Sequence, residues 1–231
     1  MRRQPAGARR VAALARGAIL ASMLSLGCGA TTSVRPLGAG NADVHVSLGG
    51  PLLKTSGSTF PTPILMAGGG FGVTDQVDVS GDVDVTAAVL GVAHVATGVA
   101  YHPLLWSSST RAVPAITIAE SFHLLTNLTD TRFAPQTTAV AAWRVGNGHL
   151  LYGGGDLGVV VGHPVHATRV LAGPLVGGEW KATDRFGIAL ECKWLAPYYD
   201  VAPLAPDWVS PGSRGYLSVL LGFRGYLDGT P

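Results

Sequence analysis

Residues 77–87 read Val-Asp-Val-Ser-Gly-Asp-Val-Asp-Val-Thr-Ala, a nearly unbroken alternation of apolar and polar side chains. Val77, Val79, Val83 and Val85 fall on one face, and Asp78, Ser80, Asp82, Asp84 and Thr86 on the other. Only a strand sorts residues in this way, because its side chains alternate faces with a period of two. The pattern recurs over residues 43–48. In 186–194 it places Phe186, Ile188, Leu190, Cys192 and Trp194 on one side. Near the end, Leu217, Val219, Leu221, Phe223 and Leu227 oppose Tyr216, Ser218, Arg224 and Tyr226. A chain written in steps of two folds as an all-β protein.

Read along its length, the chain offers ten strands, at about 42–49, 64–73, 77–89, 93–102, 113–123, 136–146, 149–161, 168–181, 186–199 and 213–227. Connections after even-numbered strands are mostly tight: Thr74-Asp75-Gln76, Asn147-Gly148 and Thr183-Asp184-Arg185. Asn-Gly is a strong hairpin signal because both residues tolerate positive φ. Connections after odd-numbered strands are mostly long, at about 50–63, 124–135, 162–167 and 200–212. The exceptions are a short one near Gly91 and a long one at 103–112.

Composition narrows the class further. Hydrophobic residues make up 47% of the 231 positions and charged residues only 13%, which excludes a disordered chain or a coiled coil. The net charge of +2 hides an asymmetry, since Arg2, Arg3, Arg9, Arg10 and Arg16 lie in the first sixteen positions, which hold no acid. Beyond them eleven bases face fourteen acids, about −3, and no nucleic-acid partner is expected.

The basic head is followed by ten apolar or small residues at 17–26, the parts of a secretory signal. As a helix this run rises only about 15 Å, half a bilayer core. Its end, Leu24-Ser25-Leu26-Gly27-Cys28, resembles the lipobox of bacterial lipoproteins. The resemblance implies that residues 1–27 are removed and that Cys28 carries a diacylglycerol. It also implies that the new amino group is acylated, with palmitate a typical acyl chain. Gly29 resembles the residue found in lipoproteins sent on to the outer membrane. With Cys28 lipidated, Cys192 has no partner and no disulfide is expected. Residues 28–41, rich in Gly, Ala, Thr and Ser, read as a flexible tether, and 42–231 as one β-domain.

An even number of strands of about ten residues, with short turns at one end and long loops at the other, describes an antiparallel up-and-down β-barrel of 8–10 strands that spans a membrane. From residue 42 onward the chain resembles the outer-membrane β-barrel proteins of Gram-negative bacteria, through its alternation, Gly-rich strands, Thr-Asp turns and closing strand. That resemblance implies an outer-membrane location with the N-terminus on the periplasmic side. It implies outer-membrane lipid and the lipoprotein and barrel assembly machineries as partners, and long loops free to meet a surface ligand. Trp143 and Trp180 before tight turns, and Trp194, Tyr198, Tyr199, Trp208 and Tyr216 around a long loop, fit two interfacial girdles. Alternation alone leaves a rival open: a lipid-tethered soluble barrel or sandwich with its valines inward and an apolar ligand inside. A membrane helix within 85–109, which holds no Asp, Glu, Lys or Arg, is opposed by the interruptions at Gly91, His94, Gly98, His102 and Pro103.

The polar face supplies the candidate site. His45, Asp78, Asp82, Asp84, Arg144, Glu191, Lys193 and Arg224 are expected to fill the lumen as a salt-bridge network, since unpaired buried charges are strongly unfavourable. No cofactor is expected beyond the lipid on Cys28. His163 and His166 read as loop histidines rather than metal ligands. A barrel hydrolase is the remaining class. Lipid A deacylases use a His-x-Ser pair late in the chain, whereas His45-Val46-Ser47 lies in the first strand. Glu120, Ser121 and His123 are close in sequence, but Glu120 and Ser121 point to opposite faces of a strand, and no nucleophile elbow or phosphate loop occurs. The triplets 68–70 and 153–155 read as strand glycines that permit bending.

Overall fold

The computed structural model describes residues 30–55, 57–106, 113–127, 131–161, 170–200 and 208–227. The strands are β1 (Ala42–Thr55), β2 (Ser58–Pro61), β3 (Ile64–Gly72), β4 (Val77–Asp84), β5 (Ala93–Leu104), β6 (Ala115–Thr126), β7 (Thr131–Val145), β8 (His149–Val159), β9 (Val170–Thr183), β10 (Phe186–Asp200) and β11 (Arg214–Tyr226). One short helix, α1 (Val85–Val89), follows β4. Apart from β2, each strand pairs with its sequence neighbours, and β11 returns to β1 from Asp43–Tyr226 to Pro51–Ser218. Ten of the eleven strands therefore close an antiparallel barrel, while β2 folds back only on the distal end of β1. Closure pairs the backbone of every strand and leaves the ring without an edge.

The two ends of the barrel differ. The tight turns after β3, β7 and β9 share one end with the start of β1 and the finish of β11. At the opposite, loop end β1 leaves the ring through Gly49 and Gly50, whose φ values are +139° and +155°. A Cβ on Gly49 would stand 2.1 Å from the Val219 carbonyl, so that corner admits only glycine.

Which face meets which surroundings is settled by exposure. Val44, Val46 and Leu48 of β1 point outward and are 40–53% exposed, while Asp43 and Ser47 are buried inside. The same sorting holds on the other strands: Val79, Val99, Leu151, Val176 and Leu221 lie outside, and Asp78, Asp156, Glu191 and Arg224 inside. A soluble barrel would reverse this order. An apolar exterior around a polar interior, with the backbone closed on itself, is the build of a transmembrane barrel. The described helix, α1, is five residues long, and no described helix is long and apolar enough to cross a membrane.

Three expectations are corrected. The strand read as 77–89 stops at Asp84, whose carboxylate accepts from the Ala87 N–H at 2.8 Å and caps α1. Alternation continues past that point, but a side-chain cap ends the ladder. The long loop expected at 124–135 is largely strand, because β6 runs to Thr126 and β7 starts at Thr131. Pro135 is tolerated there because the β7–β8 ladder resumes only at Gln136–Gly158, beyond the Phe133–Val161 bridge. Finally, Trp208 and Tyr216 are not girdle residues: both are buried with Leu195 inside the loop end of the barrel. Trp143, Trp180 and Tyr198 do face outward, 39%, 46% and 48% exposed.

Candidate functional site

The segment read as a flexible tether does not hang free. In its described part, residues 30–41, it enters the barrel at the turn end and climbs through the lumen. Ala39 donates its N–H to Asp75 at 3.2 Å, and Leu37 donates to Asp78 at 3.0 Å. Arg35 is 2% exposed. It reaches Glu179 through Nε at 2.7 Å and the Gly148 carbonyl through Nη2 at 2.7 Å. Val34 is fully buried against Val140, Leu150, Tyr152 and Leu175. Higher up, Ser33 accepts from Arg224 at 2.8 Å, the Thr32 N–H donates to Glu191 at 3.1 Å and the Thr31 N–H to Ser47 at 3.1 Å. Small and polar residues read as a linker because nothing local orders them; here the barrel wall supplies partners for Thr31, Thr32, Ser33, Arg35, Leu37 and Ala39.

The wall makes room for this plug. A Cβ on Gly72 would lie 1.9 Å from the Gly38 carbonyl, and one on Gly222 would lie 2.5 Å from Thr31 Oγ1. Bending is therefore not the only use of these strand glycines. Gly70 and Gly72 of β3 and Gly222 of β11 give the lumen width where the plug passes.

Seven of the eight expected lumen residues line this interior, in four groups. His45 links Asp43 at 3.2 Å to Asp82 at 2.8 Å, and Arg224 closes on Asp43 at 2.8 Å. Asp78 holds His102 at 3.0 Å, and the other ring nitrogen of His102 meets Thr117 at 2.9 Å. Asp84 meets His94 at 3.2 Å, which meets His123 at 3.2 Å. Lys193 bridges Asp156 at 3.0 Å and Glu191 at 3.2 Å, with Tyr152 donating to Glu191 at 2.9 Å. Arg144 does not join them. It is exposed at the turn end, its guanidinium 4.7 Å from the Trp106 ring centre, because β7 has reached the rim there. Cys28, His163 and His166 lie outside the described residues.

Several members of the network were missed from sequence. His94 and His102 had been read as interruptions of an apolar run. Yet they share parity with Ala96, Gly98 and Ala100, the small-residue face of β5, and that face is the inner one. Asp156 and Glu179 were hidden among glycines, although each stands opposite in parity to an exposed neighbour, Leu157 and Trp180. Arg35 and Asp43 lay in or beside the supposed tether.

Apolar clusters flank the polar belt. Val34, Tyr152 and Leu175 pack with Trp106 towards the turn end, and Trp106 donates to the Ala142 carbonyl at 3.0 Å. Leu195, Trp208 and Tyr216 pack at the loop end with Leu53 and Tyr199. Beside the plug a cavity of about 110 Å³ remains, bordered by Thr31, His45, Asp82, Ser121, His123 and Lys193. It has room for a few water molecules. The candidate hydrolytic residues do not assemble: Glu120 points out of the barrel and bonds Thr137, while Ser121 and His123 point in. Ser47, two residues from His45, is engaged by Thr31. Among the described residues no group of three or more His, Cys, Asp and Glu side chains is placed to hold a metal.

No family model matches the chain, and no curated protein does. Two solved structures are similar in outline. NanC porin in a rhombohedral crystal form aligns at a TM-score of 0.42 and 7% identity, over 79% of this chain and 98% of that one. An outer membrane channel from Pseudomonas putida F1 aligns at 0.44 and 9%, over 86% of this chain and 99% of that one. Likeness at this level leaves function to be argued from the residues themselves.

Proposed function

We propose that this chain is a non-catalytic outer-membrane barrel protein whose lumen, in the unacylated chain, is shut by its own N-terminal segment. Its work is then done by the outer surface and by the loops at its wider-looped end. The observation that carries this reading is the passage of residues 30–41 through the lumen, tied to the wall at Ser47, Glu191, Arg224, Glu179 and Asp78. Signal peptide, outer-membrane address and loop-borne surface contacts follow from the sequence resemblances and complete the proposal.

The lipoprotein part carries a geometric condition. Cys28 is two residues from Ala30, a reach of about 7 Å. Ala30 directly precedes Thr31, which is bonded to Ser47, and Ser47 stands five residues up β1 from the turn end. Those five residues span about 17 Å of strand, or roughly 13 Å along the axis of a tilted barrel. A lipid on Cys28 seated in the turn-side leaflet and a plug in this position therefore exclude each other. Acylation on that side withdraws the plug, and the unacylated chain keeps it.

Planar-bilayer recording tests the central part. Barrels purified without acylation should be electrically silent, while a deletion of residues 30–37 should conduct. Equal silence of both, with the deletion variant folded, would show that the plug is not what closes the lumen.

A further inference from the structure

The lipid-facing surface carries one anomaly. Over the middle of the ring strands, among the described outward-facing residues, Glu120 of β6 is the one acidic or basic side chain. Its strand neighbours on that face, Ile118 and Phe122, are 41% and 44% exposed, and Val99 opposite it on β5 is 45% exposed. The carboxylate accepts one hydrogen bond, from Thr137 Oγ1 at 2.7 Å across on β7. Ionisable groups at membrane depth are costly against lipid, and as a rule they face protein rather than acyl chains.

Beside Glu120 the surface changes character. In the next two rows of the β7–β8 ladder Ala139 pairs with Gly155 and Ala141 with Gly153. Four adjoining positions thus carry nothing larger than a methyl group; the other outward run of small residues, Ala67, Gly69 and Gly81, has no carboxyl group beside it. The result is a shallow depression bordered by a carboxyl group. Small residues let two lipid-embedded backbones approach closely, as they do between membrane helices.

We propose that this face of β6–β8 is where a second copy of the barrel docks, about a two-fold axis passing beside Glu120. An isologous contact needs a surface complementary to itself. A carboxyl group meets that need: in its protonated form it offers one donor and one acceptor. Two such groups facing each other across the axis therefore satisfy one another without any base from outside. Ile118 or Phe122 of each copy would fill the other's depression. An unrelated partner would have to bring its own matching polar group to the same depth. The proposal rests on the barrel spanning a membrane.

The test uses the folded full barrel in nonionic detergent and in phosphatidylcholine liposomes, with mass read by light scattering and by cross-linking in the vesicles. Flotation with the liposomes is measured first, because a barrel that fails to float refutes the membrane reading itself rather than the pairing. Given flotation, the wild type should be dimeric. Glu120→Leu and, separately, Ala139→Trp should raise the dimer dissociation constant roughly tenfold or more, the scale of a lost interchain contact in lipid. Both variants should keep the heat-modifiable gel mobility of a folded barrel. A wild type that floats but is monomeric at every protein-to-lipid ratio overturns the proposal. So does a Glu120→Leu variant that dimerises like the wild type.

Discussion

Replacing Arg35 by alanine probes the plug where its electrostatics are most concentrated. The Arg35 and Glu179 side chains are 3% and 6% exposed and meet at 2.7 Å. Without the guanidinium, Glu179 keeps one described hydrogen bond, from the Tyr226 hydroxyl at 3.1 Å, and the more distant charge of Arg224. Removing one member of a buried pair costs about 3–5 kcal/mol, chiefly because the other charge stays buried alone. Water can reach Glu179 once the plug has left, so that cost falls on the plugged state and not on the open one. The open fraction should therefore rise by roughly two to four orders of magnitude. In planar bilayers, unacylated wild type should stay closed and Arg35→Ala should show frequent openings. Arg35→Lys should lie between, since one ammonium cannot serve both Glu179 and the Gly148 carbonyl. Adding Glu179→Gln to Arg35→Ala should restore much of the closure, because the orphaned charge is then gone. If Arg35→Ala is as closed as the wild type while the 30–37 deletion conducts, the ion pair does not hold the plug.

Further consequences follow from the same geometry. Gly72→Val puts a side chain where the Gly38 carbonyl now sits, so the plug should leave, and thermolysin, which cuts before apolar residues, should cut at the otherwise buried Val34 or Leu37 while the barrel stays folded. Lys193→Met leaves Asp156 and Glu191 facing each other without their shared cation, and thermal unfolding in detergent should show a loss of about 3–5 kcal/mol. Val46→Arg, on the outer face of β1, should cost about 2–4 kcal/mol in lipid, measured by urea unfolding in vesicles. A soluble barrel of the opposite sense would instead bury that arginine in its core and fail to fold.

The strand order and the inner and outer faces were legible because alternation is a local signal, repeated in every strand. Val77 to Asp84 could be sorted by parity alone, and parity placed Asp78, Asp82 and Asp84 together. Parity says nothing of sense, however, since valines inward and valines outward read identically. Exposure in the folded chain decides between them. What stayed illegible depended on partners distant in sequence. Arg35 and Glu179 are 144 positions apart, and Ser33 and Arg224 are 191 apart. No local pattern marks a segment of Thr, Ser, Val and Gly as the filling of a barrel. Chain ends within a strand were missed for a different reason: a single capping carboxylate at Asp84 stopped β4, while Pro135 failed to stop β7 because its missing N–H fell at a gap in the ladder.

Fractionation of a Cys28→Ser variant, supplied with an ordinary secretory cleavage site so that export survives, tests the account most directly. With no lipid to hold it, the protein should remain in the outer membrane through carbonate and urea extraction, because its valine-covered exterior is itself the anchor. Recovery of a soluble periplasmic protein would mean that the apolar faces do not meet lipid, and the inside-out barrel would have to be abandoned.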